Sequence, residues 1–119
     1  MPTIAKMSLV ATDIKAMVAF YNAVLGADFT PVQIAPEGFY SGKIAGIGTL
    51  LCPNSIAQVN AEQNRQQFDF IVEDIEASIQ ASLDSGGRLL EAPSEQNGIK
   101  TASVYDPDGN SMVFIQKTP

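Results

Sequence analysis

The chain has 119 residues, which is the usual size of one domain and enough to bury a hydrophobic core. Its net charge is −6, with ten of its thirteen acidic residues in residues 61–119, and such a surface repels nucleic-acid phosphates and anionic membranes. It has no apolar run of the roughly 18–20 residues that span a bilayer, no signal-peptide pattern, and one cysteine, Cys52, which excludes an internal disulfide. We therefore expect a cytoplasmic protein without nucleic-acid or membrane partners.

The first half of the chain has the pattern of one strand, one helix and three further strands. Residues 4–11 have the composition of a strand, and Asp13 then offers the carboxylate of a helix N-cap. An apolar stripe at helical spacing predicts the helix, which ends at Gly26 because glycine suits the left-handed position after a helix. The stripe consists of Ile14, Met17, Val18, Tyr21, Val24 and Leu25. The further strands are predicted at residues 27–34, 39–45 and 47–52.

The second half repeats this order at an offset of 61 residues, so that Asp74 corresponds to Asp13. Its helix is predicted between Asp74 and Gly86-Gly87, and residues 92–98 are predicted to be an exposed connection. Its strands are predicted at residues 66–72, 88–91, 99–105 and 111–117. A polar, breaker-rich segment separates the halves. We therefore assign module 1 to residues 1–53, a linker to residues 54–64 and module 2 to residues 65–119.

Two βαβββ modules and two short motifs together resemble the vicinal oxygen chelate superfamily, which includes glyoxalase I, extradiol dioxygenases and bleomycin-resistance proteins. The motifs are Phe20-Tyr21-Asn22-Ala23-Val24-Leu25-Gly26 at the end of the first helix and the closing hairpin Asp106-Pro107-Asp108-Gly109-Asn110. The resemblance implies an α+β fold in which two tandem βαβββ modules form a curved, cleft-containing mixed sheet. The motifs are caps and turns that carry no chemistry, so they indicate the fold and leave the function open.

In the enzymes of this superfamily a divalent metal lies in the cleft, bound by His and Glu from the first and last strands of each module. Counted from the helix caps and the hairpin, the corresponding positions here are Lys6, Cys52, Gln67 and Val113. A lysine is a cation, a valine has no lone pair, and a glutamine amide is a weak ligand. The chain also contains no histidine, and one cysteine cannot build a tetrahedral zinc site. We therefore expect no metal and no other cofactor.

Strand alternation predicts which side chains line the cleft. Phe68, Phe70 and Val72 share the face that is expected to pack under the helix. Gln67, Asp69 and Ile71 share the other face. A polar floor of Lys6, Ser8, Gln67 and Asp69 would orient a ligand, with Asp69 as the candidate general base. Alternatively, Lys6 and Asp69 pair with each other, or Asp69 is solvated in a shallow groove.

Aromatic side chains add to the candidate ligand-binding set. Tyr40 and Tyr105, together with Phe39, lie on strands that border the cleft in this fold and could stack on a flat ligand, although most aromatics of a small domain belong to its core. Cys52 and Val113 complete the set. Cys52 is more often a small buried hydrophobe than a nucleophile, and no histidine is present to activate it.

Three functions stay open at this point. The first is a metal-free protein that binds a small organic molecule, neutral or cationic because the cleft is acidic, and the resemblance implies a homodimer. The second is a lyase or isomerase, with either an atypical metal site or metal-free chemistry by Asp69 and tyrosine side chains. The third is a non-catalytic module that binds another protein through an exposed apolar patch.

Overall fold

The computed structural model describes residues 2–33, 37–60 and 66–117. The chain divides into two compact units, Met1–Asn60 and Ala61–Pro119, for which we keep the names module 1 and module 2. Each unit contains a four-stranded mixed sheet, and the strand order is the same in both. The prediction of an α+β fold with two tandem βαβββ modules is therefore confirmed.

Module 1 has the sheet order β1-β4-β3-β2, in which β1 runs parallel to β4 and the other neighbours are antiparallel. The parallel pair is possible because α1 crosses over between the strands. The elements are β1 (Met7–Ala11), α1 (Ile14–Leu25), β2 (Thr30–Pro31), β3 (Tyr40–Ile44), β4 (Ile47–Pro53) and α2 (Asn54–Ala57). The short helix α2 lies at the start of the segment that the sequence predicts as a linker.

Helix α1 begins and ends where its caps predict. The Asp13 carboxylate accepts a hydrogen bond from the amide of Ala16 at 3.2 Å, and Gly26 closes the helix at φ 60°. The helix buries Met17, Phe20 and Tyr21. All the buried strand residues of module 1 lie on one face of its sheet, and this face therefore carries the core. These residues are Ala11, Ile44, Thr49 and Leu51.

Module 2 has the equivalent order β5-β8-β7-β6, with β5 parallel to β8. Its elements are β5 (Asp69–Ile71), α3 (Ile75–Asp84), β6 (Arg88–Gln96), β7 (Ile99–Tyr105) and β8 (Ser111–Lys117). The predicted bounds of β7 and β8 are confirmed. Strand β5 is shorter than predicted, and the connection predicted at residues 92–98 is wrong: β6 continues to Gln96 opposite Ile99, which leaves only Asn97-Gly98 for the turn.

Helix α3 covers one face of the module 2 sheet and is attached to it at its first turn. The side chain of Gln116, in β8, accepts a hydrogen bond from the amide of Ile75 at 2.7 Å. Lys100, in β7, forms an ion pair with Glu76 at 3.1 Å. The strand residues buried on this face are Ala102, Val104, Met112 and Phe114. Phe68 does not pack there as predicted, because 46% of its side chain is exposed beside the ring of Phe70.

The hairpin between β7 and β8 is organised by a buried carboxylate. Asp106 is 1% exposed and accepts hydrogen bonds from the amides of Asp108 and Asn110 and from the Asn110 side chain, at 3.0, 2.9 and 2.9 Å. Gly109 has φ 89°, a conformation that glycine adopts without steric cost. The turn thus satisfies its own donors and fixes the pairing of Tyr105 with Ser111.

Candidate functional site

The structure brings four of the predicted residues together on one face of module 2. Val113 pairs with Asp69 on one side and with Ser103 on the other. One step along the same face, Tyr105 pairs with both Ser111 and Arg88. The Ser111 hydroxyl contacts Gln67 Oε1 at 2.8 Å. This surface is opposite the one that α3 covers, and it also carries Ile71, Thr101 and Ile115. We call its polar part the polar face of module 2 and use that name for Gln67, Asp69, Arg88, Ser103, Tyr105, Ser111 and Val113.

The polar face combines an aromatic ring, an apolar side chain and several polar groups. The guanidinium carbon of Arg88 lies 5.1 Å from the centre of the half-buried Tyr105 ring, which is within the range of a cation–π interaction. Gln67 and Asp69 are exposed, and Val113 is half-buried. Such a surface can stack against an apolar ligand while its polar groups orient it.

Three residues of this face were missed by the sequence analysis. Arg88 was assigned only to a strand, but its position opposite Tyr105 follows once β6 and β7 are paired as a hairpin. Ser103 lies two residues before Tyr105 and therefore on the same face, a signal that alternation alone could have provided. Ser111 likewise lies two residues before Val113, and it pairs with Tyr105 across the five-residue turn.

The predicted residues of module 1 do not all lie together. Ser8 pairs with Leu50, and Val10 with Cys52, so Ser8 and Cys52 share the face that is opposite the core. Tyr40 pairs with the buried Leu51 and therefore lies on the core face of the sheet. It does not share a face with Cys52, as a common lining would require. Lys6 precedes β1 and is exposed.

Tyr40 instead contributes to a separate depression of about 370 Å³ beside β2 and β3. Its volume falls within the range of small-molecule pockets. Phe39 and Glu37 also line it. The residues that are known to line it all belong to module 1.

Strand pairing also changes the correspondence between the modules. Leu9 pairs with Leu51 in module 1, and Phe70 pairs with Phe114 in module 2. Leu9 and Phe70 are separated by the repeat offset of 61 residues, whereas their partners in β4 and β8 are separated by 63 residues. The position in β4 that corresponds to Val113 is therefore Leu50, whereas the sequence offset assigned it to Cys52. The turns differ in length, with two residues between Ile44 and Ile47 and five between Tyr105 and Ser111, and a constant offset cannot follow such a difference.

The residues at the metal-ligand positions of the superfamily do not fit a metal. The side chain of Val113 and that of its module 1 counterpart Leu50 have no lone pair, and the Gln67 amide oxygen already contacts Ser111. Lys6 is a cation. Within residues 2–33, 37–60 and 66–117, no group of three or more His, Cys, Asp or Glu side chains could hold a metal ion. We therefore derive no chemistry through a metal at this site.

Comparisons with known proteins agree with the topology. Solved structures that cover 98% of this chain include a hypothetical protein from S. aureus (20% identity, TM-score 0.78, 95% of that chain) and a glyoxalase/bleomycin resistance protein/dioxygenase family enzyme from Burkholderia phytofirmans (20% identity, TM-score 0.75, 99% of that chain). The fosfomycin resistance protein FosX from Listeria monocytogenes is similar over 100% of this chain and 94% of its own, at 15% identity and a TM-score of 0.77. At these identities the likeness shows the fold alone. A search of curated proteins gave no match.

Two further findings complete the comparison. No helix within the described part of the chain is long and apolar enough to cross a membrane. The sequence model of the glyoxalase-like domain matches residues 6–115. This match confirms the resemblance on which the fold prediction depended: the chain belongs to the glyoxalase-like family of the vicinal oxygen chelate superfamily.

Proposed function

We propose that the protein binds a small organic molecule on the polar face of module 2 without using a metal. The observation that carries this proposal is the grouping of Gln67, Asp69, Tyr105 and Val113 on a sheet face that α3 does not cover. The family fold is retained, while the residues at its metal positions are unsuited to a metal. A binding role requires the fold and a set of side chains that can contact a ligand, and the four residues named above support such a role.

The lining favours a neutral or cationic ligand with an apolar part. Val113 and the Tyr105 ring offer apolar contact area, and Gln67 and Asp69 offer polar groups at its border. The chain carries a net charge of −6, and six more acidic than basic residues lie in its second half, so an anion would approach against the overall field. Arg88 is the exception on this face, and its guanidinium is stacked on Tyr105.

An enzymatic role is less well supported by the same geometry. Asp69 is the carboxylate that would act as a general base, but it is exposed, and its neighbour across the strand pair is Val113. A valine can neither orient the base nor stabilise developing charge on a substrate. We therefore place Asp69 at the rim of a binding surface rather than at the centre of a reaction.

A thermal-shift screen of neutral and cationic aromatic compounds tests the proposal. A compound present at 100 times its Kd should stabilise the folded protein by about 2.7 kcal/mol. The shift should be lost in Tyr105→Leu and retained in Tyr40→Leu, which alters the separate depression of module 1 and serves as the matched control. A screen in which no compound raises the melting temperature would contradict the proposal. Loss of the shift in Tyr40→Leu alone would move the site to module 1.

Elemental analysis separates this proposal from a metal-dependent enzyme. Protein purified without chelators should contain nickel, zinc, iron and manganese far below one equivalent per chain. A stoichiometric amount of any of these metals would contradict the metal-free proposal, because a divalent metal that stays bound through purification has several protein ligands.

We also propose a homodimer, in keeping with the expectation from the superfamily. Exposed apolar side chains in module 2 support it, since a partner subunit would remove such side chains from water. These are Phe68, Ile71, Leu83, Leu89, Leu90 and Ile99. Sedimentation equilibrium should give twice the chain mass of 12.7 kDa, and a monomer at micromolar concentration would contradict the dimer.

A further inference from the structure

Ser103 carries a buried hydroxyl that has no partner in the part of the chain that the structure describes. Its side chain is 4% exposed, and its Oγ has no hydrogen-bond partner among the described residues. Leaving a buried hydroxyl unpaired costs free energy, and for that reason most buried polar groups in proteins are paired. Ser82, in α3, shows the usual arrangement, because its equally buried hydroxyl bonds to the carbonyl of Ser78 at 2.7 Å.

The hydroxyl lies at the centre of the polar face. Ser103 is in β7, an inner strand of the sheet, and pairs with Val113 in β8 and with Glu91 in β6. Serine is the shortest of these side chains, so its hydroxyl lies at the base of the surface that its neighbours form. The half-buried ring of Tyr105 lies two residues further along the same face.

The neighbouring edge strand is irregular at this point. The pairing of β6 with β7 shifts on both sides of Glu91, once between Leu89 and Glu91 and again between Glu91 and Ser94. Bulges of this kind bend a strand and are frequent beside functional sites. All nine residues of β6 are exposed, so the Glu91 side chain is free to move aside at little packing cost. The exposed, irregular strand β6 is therefore the side from which a ligand would reach Ser103.

We propose that Ser103 Oγ is the specificity contact of the ligand site and hydrogen-bonds a carbonyl or hydroxyl oxygen of an uncharged molecule. This inference rests on the proposed binding function and narrows its ligand class. The apolar part of the molecule lies against Val113 and the Tyr105 ring. The oxygen of the ligand accepts a hydrogen bond from the Ser103 hydroxyl, which has no partner among the described residues.

A charged group does not suit this position. Among the described residues of this face, the buried polar group that such a ligand would meet is the neutral hydroxyl of Ser103 beside Val113. A single neutral hydrogen bond does not replace the hydration of an ion. Asp69 and Glu91 are exposed, so their carboxylates are solvated at the border of the face. A neutral ketone or alcohol therefore fits better than an ammonium or carboxylate group.

Matched probes test the inference directly. Acetophenone carries a carbonyl oxygen, and α-methylstyrene has a methylene group in its place. Each compound is titrated into the ¹⁵N-labelled chain of 119 residues while the β7 and β8 amide signals are followed. We expect the ketone to bind about five- to tenfold more tightly, which corresponds to about 1–1.4 kcal/mol. Ser103→Ala should abolish this preference, and the control Ser82→Ala should keep it.

The two serine variants should also differ in thermal stability without ligand. Ser103→Ala removes an unpaired buried hydroxyl and should raise the melting temperature by about 2–5 °C, whereas Ser82→Ala breaks an existing bond and should not raise it. A ketone preference that survives in Ser103→Ala would overturn this inference and leave the proposed function intact. Destabilisation of Ser103→Ala would also overturn it, since the hydroxyl would then have a partner in the protein. If neither probe shifts these amides, the proposed function fails and this inference fails with it.

Discussion

Replacement of Asp106 should be among the most destabilising single changes in module 2. The carboxylate is 1% exposed and accepts hydrogen bonds from the amides of Asp108 and Asn110 and from the Asn110 side chain, at 2.9–3.0 Å. A hydrogen bond to a charged group contributes about 1.5–3 kcal/mol. These bonds close one turn and are not additive, because the freed donors become partly hydrated once the turn opens. For Asp106→Ala we therefore expect a loss of about 3–4 kcal/mol.

The isosteric variant refines this prediction. In Asp106→Asn the remaining side-chain oxygen can still accept from the backbone amides of Asp108 and Asn110. The new NH₂ group would face the side-chain NH₂ of Asn110, so that two donors oppose each other. We expect this variant to lose about 2 kcal/mol, less than Asp106→Ala. Urea unfolding followed by circular dichroism measures both losses from the shift in midpoint at constant m-value.

Asp69→Ala is the matched control, because it removes an exposed carboxylate from the same module. Its free energy of unfolding should stay within about 0.5 kcal/mol of the parent. If Asp106→Ala cost no more than this control, the buried carboxylate would not organise the hairpin, and the physical reasoning about the turn would be refuted.

Three further substitutions test the packing and capping of the two modules. Gly42→Ala should destabilise module 1 by roughly 2 kcal/mol or more, the penalty of overpacking, because a Cβ there would lie 2.4 Å from the carbonyl oxygen of Ala27. Thermal unfolding measures this loss, and an unchanged melting temperature would contradict the close approach. Asp74→Ala should cost about 1 kcal/mol by removing the α3 cap, measured by urea unfolding, and an unchanged midpoint would count against the cap. Gln116→Ala should cost a similar amount, since it leaves the Ile75 amide without its partner, and faster hydrogen exchange at that amide is the specific readout.

Local chemistry explains which parts of the fold could be predicted from the sequence. The α1 and α3 caps follow from Asp13 and Asp74, whose side chains satisfy the amides of the first turn in both helices. The bounds of β7 and β8 follow from the turn chemistry of Asp106 to Asn110. In each case one residue type has a conformational or hydrogen-bonding preference strong enough to locate the element.

The errors arose where tertiary pairing overrides local composition. Residues 92–96 are polar and contain Pro93, and they still continue β6, because an edge strand tolerates a proline and bulges that an inner strand would not. The role of Tyr40 in ligand binding stays a prediction, whereas its place on the core face of the module 1 sheet follows from its pairing with Leu51. The importance of Ser103 depends on burial and on a missing partner, and neither is a property of sequence.

The most direct test of the central claim is an NMR titration of acetophenone into ¹⁵N-labelled protein that has been treated with a chelator to remove divalent metals. Metal-free binding to the polar face of module 2 predicts saturable shifts at the amides of Ser103, Tyr105 and Val113, with the same affinity before and after chelation. The absence of saturable shifts at these amides, or shifts that appear only after a divalent metal is added back, would contradict it.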